Sequence, residues 1–103
     1  MSGMSDMSKE LIMQKLKAED ETLRQMYGVK SLILFGSVAR STAKPSSDID
    51  LLVTFSEPAT FDQYMNLKLY LEDILQAPVD LVTRGAVRSH ILPKIEHEGV
   101  HVA

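Results

Sequence analysis

Residues 48–54 read Asp-Ile-Asp-Leu-Leu-Val-Thr, and no other stretch limits the fold so narrowly. A short apolar run of Ile, Leu and Val, ended by Ser56-Glu57-Pro58, reads as a strand. Residues two apart on a strand share a face. Asp48 and Asp50 therefore stand side by side, while Ile49, Leu51 and Val53 point the other way, toward a core. Strands disfavour Asp, and like charges this close repel. A hard cation offsets that cost, since Mg²⁺ is held by one or two carboxylates together with substrate phosphates. The competing reading is a pair of acids lining a solvated sheet face.

Around this strand the chain alternates helix and strand. From Ser8 the positions Leu11, Ile12, Leu16, Leu23 and Tyr27 gather on one side of a helix, and Gly28 follows where a left-handed residue ends it. Ser31 to Phe35 forms a buried strand bounded by Gly36, and Ser41 to Ser47, with Pro45, is a loop. Thr60-Phe61-Asp62-Gln63 has the form of a capping box and opens a helix to Leu75. The apolar face of that helix runs Phe61, Tyr64, Met65, Leu67, Leu71, Ile74, Leu75. Pro78 precedes a third strand, Val79 to Thr83, and a final helix is predicted over Arg88 to Glu98, with Pro93 near its first turn or at a kink. The order predicts one α/β (α+β) domain, a small mixed sheet packed by helices, over residues 8–103. Residues 1–7 read as a disordered tail.

Two further features bear on the acids. Asp80 lies in the third strand, and all three carboxylates share a face if that strand neighbours the second. Gly36-Ser37 ends the first strand and is followed by Val38-Ala39-Arg40, a candidate helical turn. Glycine lets backbone N–H groups approach a phosphate, Ser37 adds a donor, and Arg40 offers a two-pronged contact. A phosphate-cradling turn followed by a paired-carboxylate strand supplies both halves of a nucleotide–Mg²⁺ site. Gly-Ser by itself is only a turn signal.

Leu34-Phe35-Gly36-Ser37-Val38-Ala39-Arg40, then Ser47-Asp48-Ile49-Asp50-Leu51-Leu52-Val53, then Asp80 within Pro78-Val79-Asp80-Leu81-Val82, resembles the minimal nucleotidyltransferase (MNT) branch of the DNA polymerase beta superfamily. The resemblance runs from the first helix to Ile95-Glu96-His97-Glu98. One departure is Ser41, where a Gly often follows the Arg. The resemblance implies a polymerase beta-like fold and Mg²⁺-dependent transfer of a nucleotidyl group from a nucleoside triphosphate, ATP here. It implies two Mg²⁺ ions, with Asp48, Asp50 and Asp80 as metal ligands and catalytic residues. Gly36, Ser37 and Arg40 would hold the nucleotide. It further implies a HEPN-type helical toxin as partner, with AMP passed to one of its tyrosines and the MNT chain acting as a cytoplasmic antitoxin. A contact-only antitoxin, or the nucleotide-binding subunit of a two-chain small-molecule transferase, are the alternatives; homo-oligomerisation stays open.

Composition excludes several other classes. The 103 residues contain no cysteine, so disulfide scaffolds, cysteine-based zinc sites and thiol nucleophiles are out. A net charge of −3 with no basic stripe gives nucleic acid no electrostatic reason to dock. No apolar run approaches the ~18 residues of a membrane span, and the N-terminus lacks a secretory h-region. His97-Glu98-Gly99-Val100-His101 spells H-E-x-x-H, but Gly99 interrupts the helix that a zinc protease motif requires.

Overall fold

The strand carrying the two acids becomes β2 (Ile49–Phe55), an inner strand of a four-stranded sheet. The computed structural model describes residues 9–36 and 48–102. Its elements run α1 (Lys9–Ala18), α2 (Asp20–Tyr27), β1 (Val29–Phe35), β2, α3 (Phe61–Leu75), β3 (Val79–Thr83), a 3₁₀ turn (Arg84–Ala86), α4 (Leu92–Glu98) and β4 (Val100–His101). The strand order is β3-β2-β1-β4, with β2 antiparallel to β1, β4 antiparallel to β1, and β2 parallel to β3. The expected mixed sheet packed by helices is therefore what forms, with β4 as a short addition at one edge. The expected tail and the segment from Ser37 to Ser47 lie outside the described residues.

Strand alternation sorts the core into two layers. Leu32, Leu34, Ile49, Leu51, Val53, Val79 and Leu81 face one way and bury against Ile12, Leu16, Leu23, Leu67, Leu71 and Leu75 of α1, α2 and α3. Full burial of such a side chain contributes about 1.5–3 kcal/mol, so this layer dominates the stability. Ile33 and Leu52 face the opposite way and meet Ile95 of α4, with Phe35, Val82, Val87 and Leu92 around them. The second layer is smaller.

Local chemistry sets the element ends. The Thr60 hydroxyl accepts the Gln63 N–H at 3.1 Å while the Gln63 side-chain oxygen accepts the Thr60 N–H at 2.7 Å, so the predicted capping box is present. Gly28 closes α2 at φ 69°, as its position after Tyr27 predicts. In β1 one extra residue, Lys30, shifts the register between Val29–Phe55 and Ser31–Thr54, and Arg24 donates to the Lys30 carbonyl at 3.0 Å.

Three expectations need correction. The first helix is broken at Glu19 into α1 and α2, and the Tyr70 hydroxyl of α3 donates to the Glu19 carboxylate. Tyr70 also stacks on Tyr27 with centroids 4.8 Å apart, so one tyrosine ties α3 to both the break and the end of α2. The final helix begins at Leu92, not Arg88. Pro93 has no N–H and is tolerated only in a first turn, so the helix proper starts beside it. Phe61, placed on the apolar face of α3, is 73% exposed because α3 has only begun to meet the sheet there.

The hydrogen bond to Glu19, then burial, raises the Tyr70 pKa to about 12. The fold favours the neutral phenol, so its contribution is complete below pH 10 and is lost as the pH rises through 10 to 12. Guanidinium unfolding at pH 9 and pH 11.5 should show a larger alkaline loss for the wild type than for Tyr70→Phe. Equal losses would show that the Glu19 contact is energetically silent.

Candidate active site

The structure places the acids where strand alternation requires. Asp50 is opposite Asp80 in the parallel β2–β3 pair, and opposite Phe35 in the antiparallel β1–β2 pair. Both acids therefore lie on the face of the sheet that carries Leu52 and Val82, away from the larger core layer. Asp50 is half-buried and Asp80 exposed. Asp48 is exposed and immediately precedes β2, two residues from Asp50 and on the same side by alternation. β3 is thus the neighbour of β2, as convergence of the three acids needs. Among the described residues, however, no group of three or more His, Cys, Asp or Glu side chains is gathered closely enough to hold a metal ion.

Gly36 abuts this face. Its φ is +76°, which L side chains rarely adopt, and a Cβ built on it would lie 2.0 Å from Asp50 Oδ2. Glycine is required here twice over, by the left-handed backbone and by the carboxylate occupying the space of a side chain. The Gly that suggested a phosphate turn is thus in direct contact with the acid strand. Ser37 and Arg40 lie outside the described residues. The donor set fits a hard divalent cation: paired aspartates, oxygen ligands only, with a side-chain-free backbone position pressed against one of them.

α3 reaches β3 from the flank. The Tyr64 hydroxyl donates to the Leu81 carbonyl at 2.5 Å, and Glu72 accepts the Val79 N–H at 3.0 Å. Lys68 donates to the same Glu72 oxygen at 3.1 Å. The Val79 N–H, then Lys68, holds the Glu72 carboxyl below the usual carboxylate range. At the far end of β3, Arg84 binds Thr54 Oγ1 at 3.1 Å and Glu96 at 2.6 Å, joining β3, β2 and α4. A groove of about 860 Å³ runs beside β3 from Asp80 to Ala86 and is walled by Ser56 to Phe61 and Tyr64. Sequence reasoning did not anticipate it, because its walls are distant along the chain and none carries a motif.

The zinc-protease pattern fails in the structure for the expected reason. His97 is on α4, whereas His101 is on β4 opposite Ile33, so the two do not share a helix face.

The nucleotidyltransferase domain family matches residues 17–101. The chain belongs to the nucleotidyltransferase family. It is 36% identical over 99 residues to the protein adenylyltransferase MntA of Thermococcus cleftensis, covering 96% of this chain and 100% of that one. A solved structure assigned provisionally to the minimal nucleotidyltransferases superposes with a TM-score of 0.80 at 33% identity, covering 92% of this chain and 96% of that one. The fold also recurs in a complex of the tri-AMPylated Shewanella oneidensis HEPN toxin with its MNT antitoxin. That match has a TM-score of 0.63 at 19% identity, over 88% of this chain and 71% of that one. The resemblance to this family is therefore borne out, and the protein is a minimal nucleotidyltransferase.

The contact between Gly36 and Asp50 is testable without substrate. Gly36→Ala should cost about 1–2 kcal/mol from the left-handed backbone alone, and more from the clash with the carboxylate. In an Asp50→Ala background the Oδ2 and Cγ contacts are gone and only the Cβ contact at 3.2 Å remains, so urea unfolding should show a smaller penalty for Gly36→Ala there. Equal penalties in both backgrounds would mean the two residues do not crowd each other.

Proposed function

We propose that this minimal nucleotidyltransferase moves AMP from ATP to a tyrosine hydroxyl of a HEPN-type toxin and so acts as its antitoxin in the cytoplasm. The observation that carries the reading is Asp50 standing in register with Asp80, beside Gly36, in a chain matching a protein adenylyltransferase over that protein's whole length. No helix among the described residues is long and apolar enough to cross a membrane.

In this reading Asp48, Asp50 and Asp80 are the ligands that hold Mg²⁺. The bound ions would supply charge stabilisation for the triphosphate and for the oxygens that react. Gly36, Ser37 and Arg40 receive the β- and γ-phosphates. Because Gly36 carries no side chain, phosphate oxygens can approach its backbone N–H next to Asp50. The acceptor oxygen attacks the α-phosphorus, the new O–P bond forms, and the bond to the bridging oxygen of the β-phosphate breaks. Pyrophosphate leaves with that electron pair. Asp80 is exposed beside the groove, where an acceptor can reach it, and its carboxylate takes up the hydroxyl proton.

In this reading the second wall of the site comes from the partner. The net charge of −3 disfavours DNA or RNA in that role.

The deciding experiment is intact-mass spectrometry of the neighbouring-gene product after co-expression with the wild type or with the Asp48→Asn, Asp50→Asn or Asp80→Asn variant. The expected outcome is addition of one AMP or a few to the partner with the wild type, and none with the Asp variants. Asp80→Asn should keep most of its affinity for Mg²⁺–ATP in calorimetry, whereas Asp48→Asn and Asp50→Asn should lose it. An unmodified but inhibited partner would overturn transfer in favour of inhibition by contact.

A further inference from the structure

β3 is an edge strand of five residues, with β2 on one side and, among the described residues, no strand on the other. Edge strands of this length fray readily, because half of their backbone groups lack a ladder partner. Asp80 is the second residue of this strand, so its position depends on how well the edge is held.

The structure holds it at the two residues that flank Asp80. In a strand, neighbouring backbone groups alternate in direction, and Pro78, whose carbonyl accepts from Ile49 N–H at 3.0 Å, faces β2. Val79 and Leu81 therefore face outward, to either side of Asp80. The Val79 N–H goes to Glu72 and the Leu81 carbonyl is taken by the Tyr64 hydroxyl. Two side chains of one helix thus occupy the outward groups before and after the same aspartate. The chemistry of each suits the task. A phenylalanine would fill the space of the Tyr64 ring, so what the tyrosine adds is one donor, spent on that carbonyl. Glu72 is steadied by Lys68 one turn earlier, and both the lysine and the Val79 N–H meet the same carboxylate oxygen.

We infer that Tyr64 and Glu72 are positioning residues for Asp80, fixing its neighbours in the edge strand so that its carboxylate stays in register with Asp50. The inference rests on the reading of Asp80 as a group of the reacting site. Each acts through the backbone of β3, by its hydrogen bond to Leu81 or to Val79.

The test uses the full chain with its co-expressed partner, and compares Tyr64→Phe, Glu72→Ala and Glu72→Gln with Asp80→Asn, each assayed well below its own melting temperature. Tyr64→Phe and Glu72→Ala should lower kcat by about 10- to 100-fold, the usual effect of removing a group that orients a ligand-bearing residue. KM for ATP should stay put, because the phosphate turn is on the other side of β2. Glu72→Gln keeps an acceptor for the Val79 N–H and should recover most of the loss. Mn²⁺ added alone gives a readout without turnover. Its paramagnetic broadening of the Asp80 amide should weaken in Tyr64→Phe and Glu72→Ala while that of Asp50 persists. Full kcat and undiminished broadening in both variants, with Asp80→Asn inactive, would overturn the positioning role. A fully active Asp80→Asn would instead overturn the reading of the site, and the positioning role with it. Should Glu72→Ala not fold, Tyr64→Phe, which keeps the ring, decides the matter.

Discussion

β2 and β3 run parallel, with Asp50 opposite Asp80, and a parallel neighbour cannot be reached through a tight turn. The chain must leave the C-terminal end of β2, cross one face of the sheet and re-enter beside the end where β2 began. α3 makes that crossing, and its length, caps and apolar stripe all serve the return. Leu67, Leu71 and Leu75 are fully buried against the strands, which anchors the helix over the sheet. The capping box at Thr60 starts it and the left-handed Gln76, at φ 53°, turns it back toward β3. Gln76 is an uncommon residue for that backbone, and its side chain donates to the Asp73 carbonyl, which offsets some of the cost.

Bringing two aspartates into register on adjacent strands is unfavourable in isolation, since like charges repel across a strand pair. The large core layer beneath them offsets it. Ile49, Leu51, Val79 and Leu81 alternate with the acids and are buried on the opposite face. Slipping β3 by one residue would remove the repulsion but would also turn those side chains out of the core. The acids are thus held together by the hydrophobic residues between them. The smaller layer on the acid face, around Ile33, Leu52 and Ile95, covers part of that face and leaves Asp80 open to an incoming group.

Much of this was legible in the order of residues, and the reason is periodicity. The alternation of Asp48, Ile49, Asp50 and Leu51 places acids and core on opposite faces of any strand, and the Thr60–Gln63 box marks a helix start in any context. Gly28 ends its helix at φ 69° because the polypeptide itself makes that conformation cheap only for glycine. The break at Glu19 escaped notice because the apolar spacing continues through it. At the break the Glu19 carboxylate accepts from the hydroxyl of Tyr70, 51 residues away, a contact that no local spacing signals. The exposure of Phe61 is likewise decided by what its segment meets in space, whereas the late start of α4 follows locally from Pro93.

The sequence by itself determined which residue types lie on which face and where most elements begin and end, because backbone sterics and side-chain periodicity act over a few residues. Only the tertiary structure decided that β3 neighbours β2 with Asp80 opposite Asp50. It alone decided that Gly36 is pressed against Asp50 and that Tyr64 and Glu72 grip the strand around Asp80. Those contacts join residues 7 to 30 positions apart, in different elements, and no local rule places such elements against one another. They form because burying the apolar faces of α3 and the sheet leaves one arrangement in which the remaining polar groups find partners.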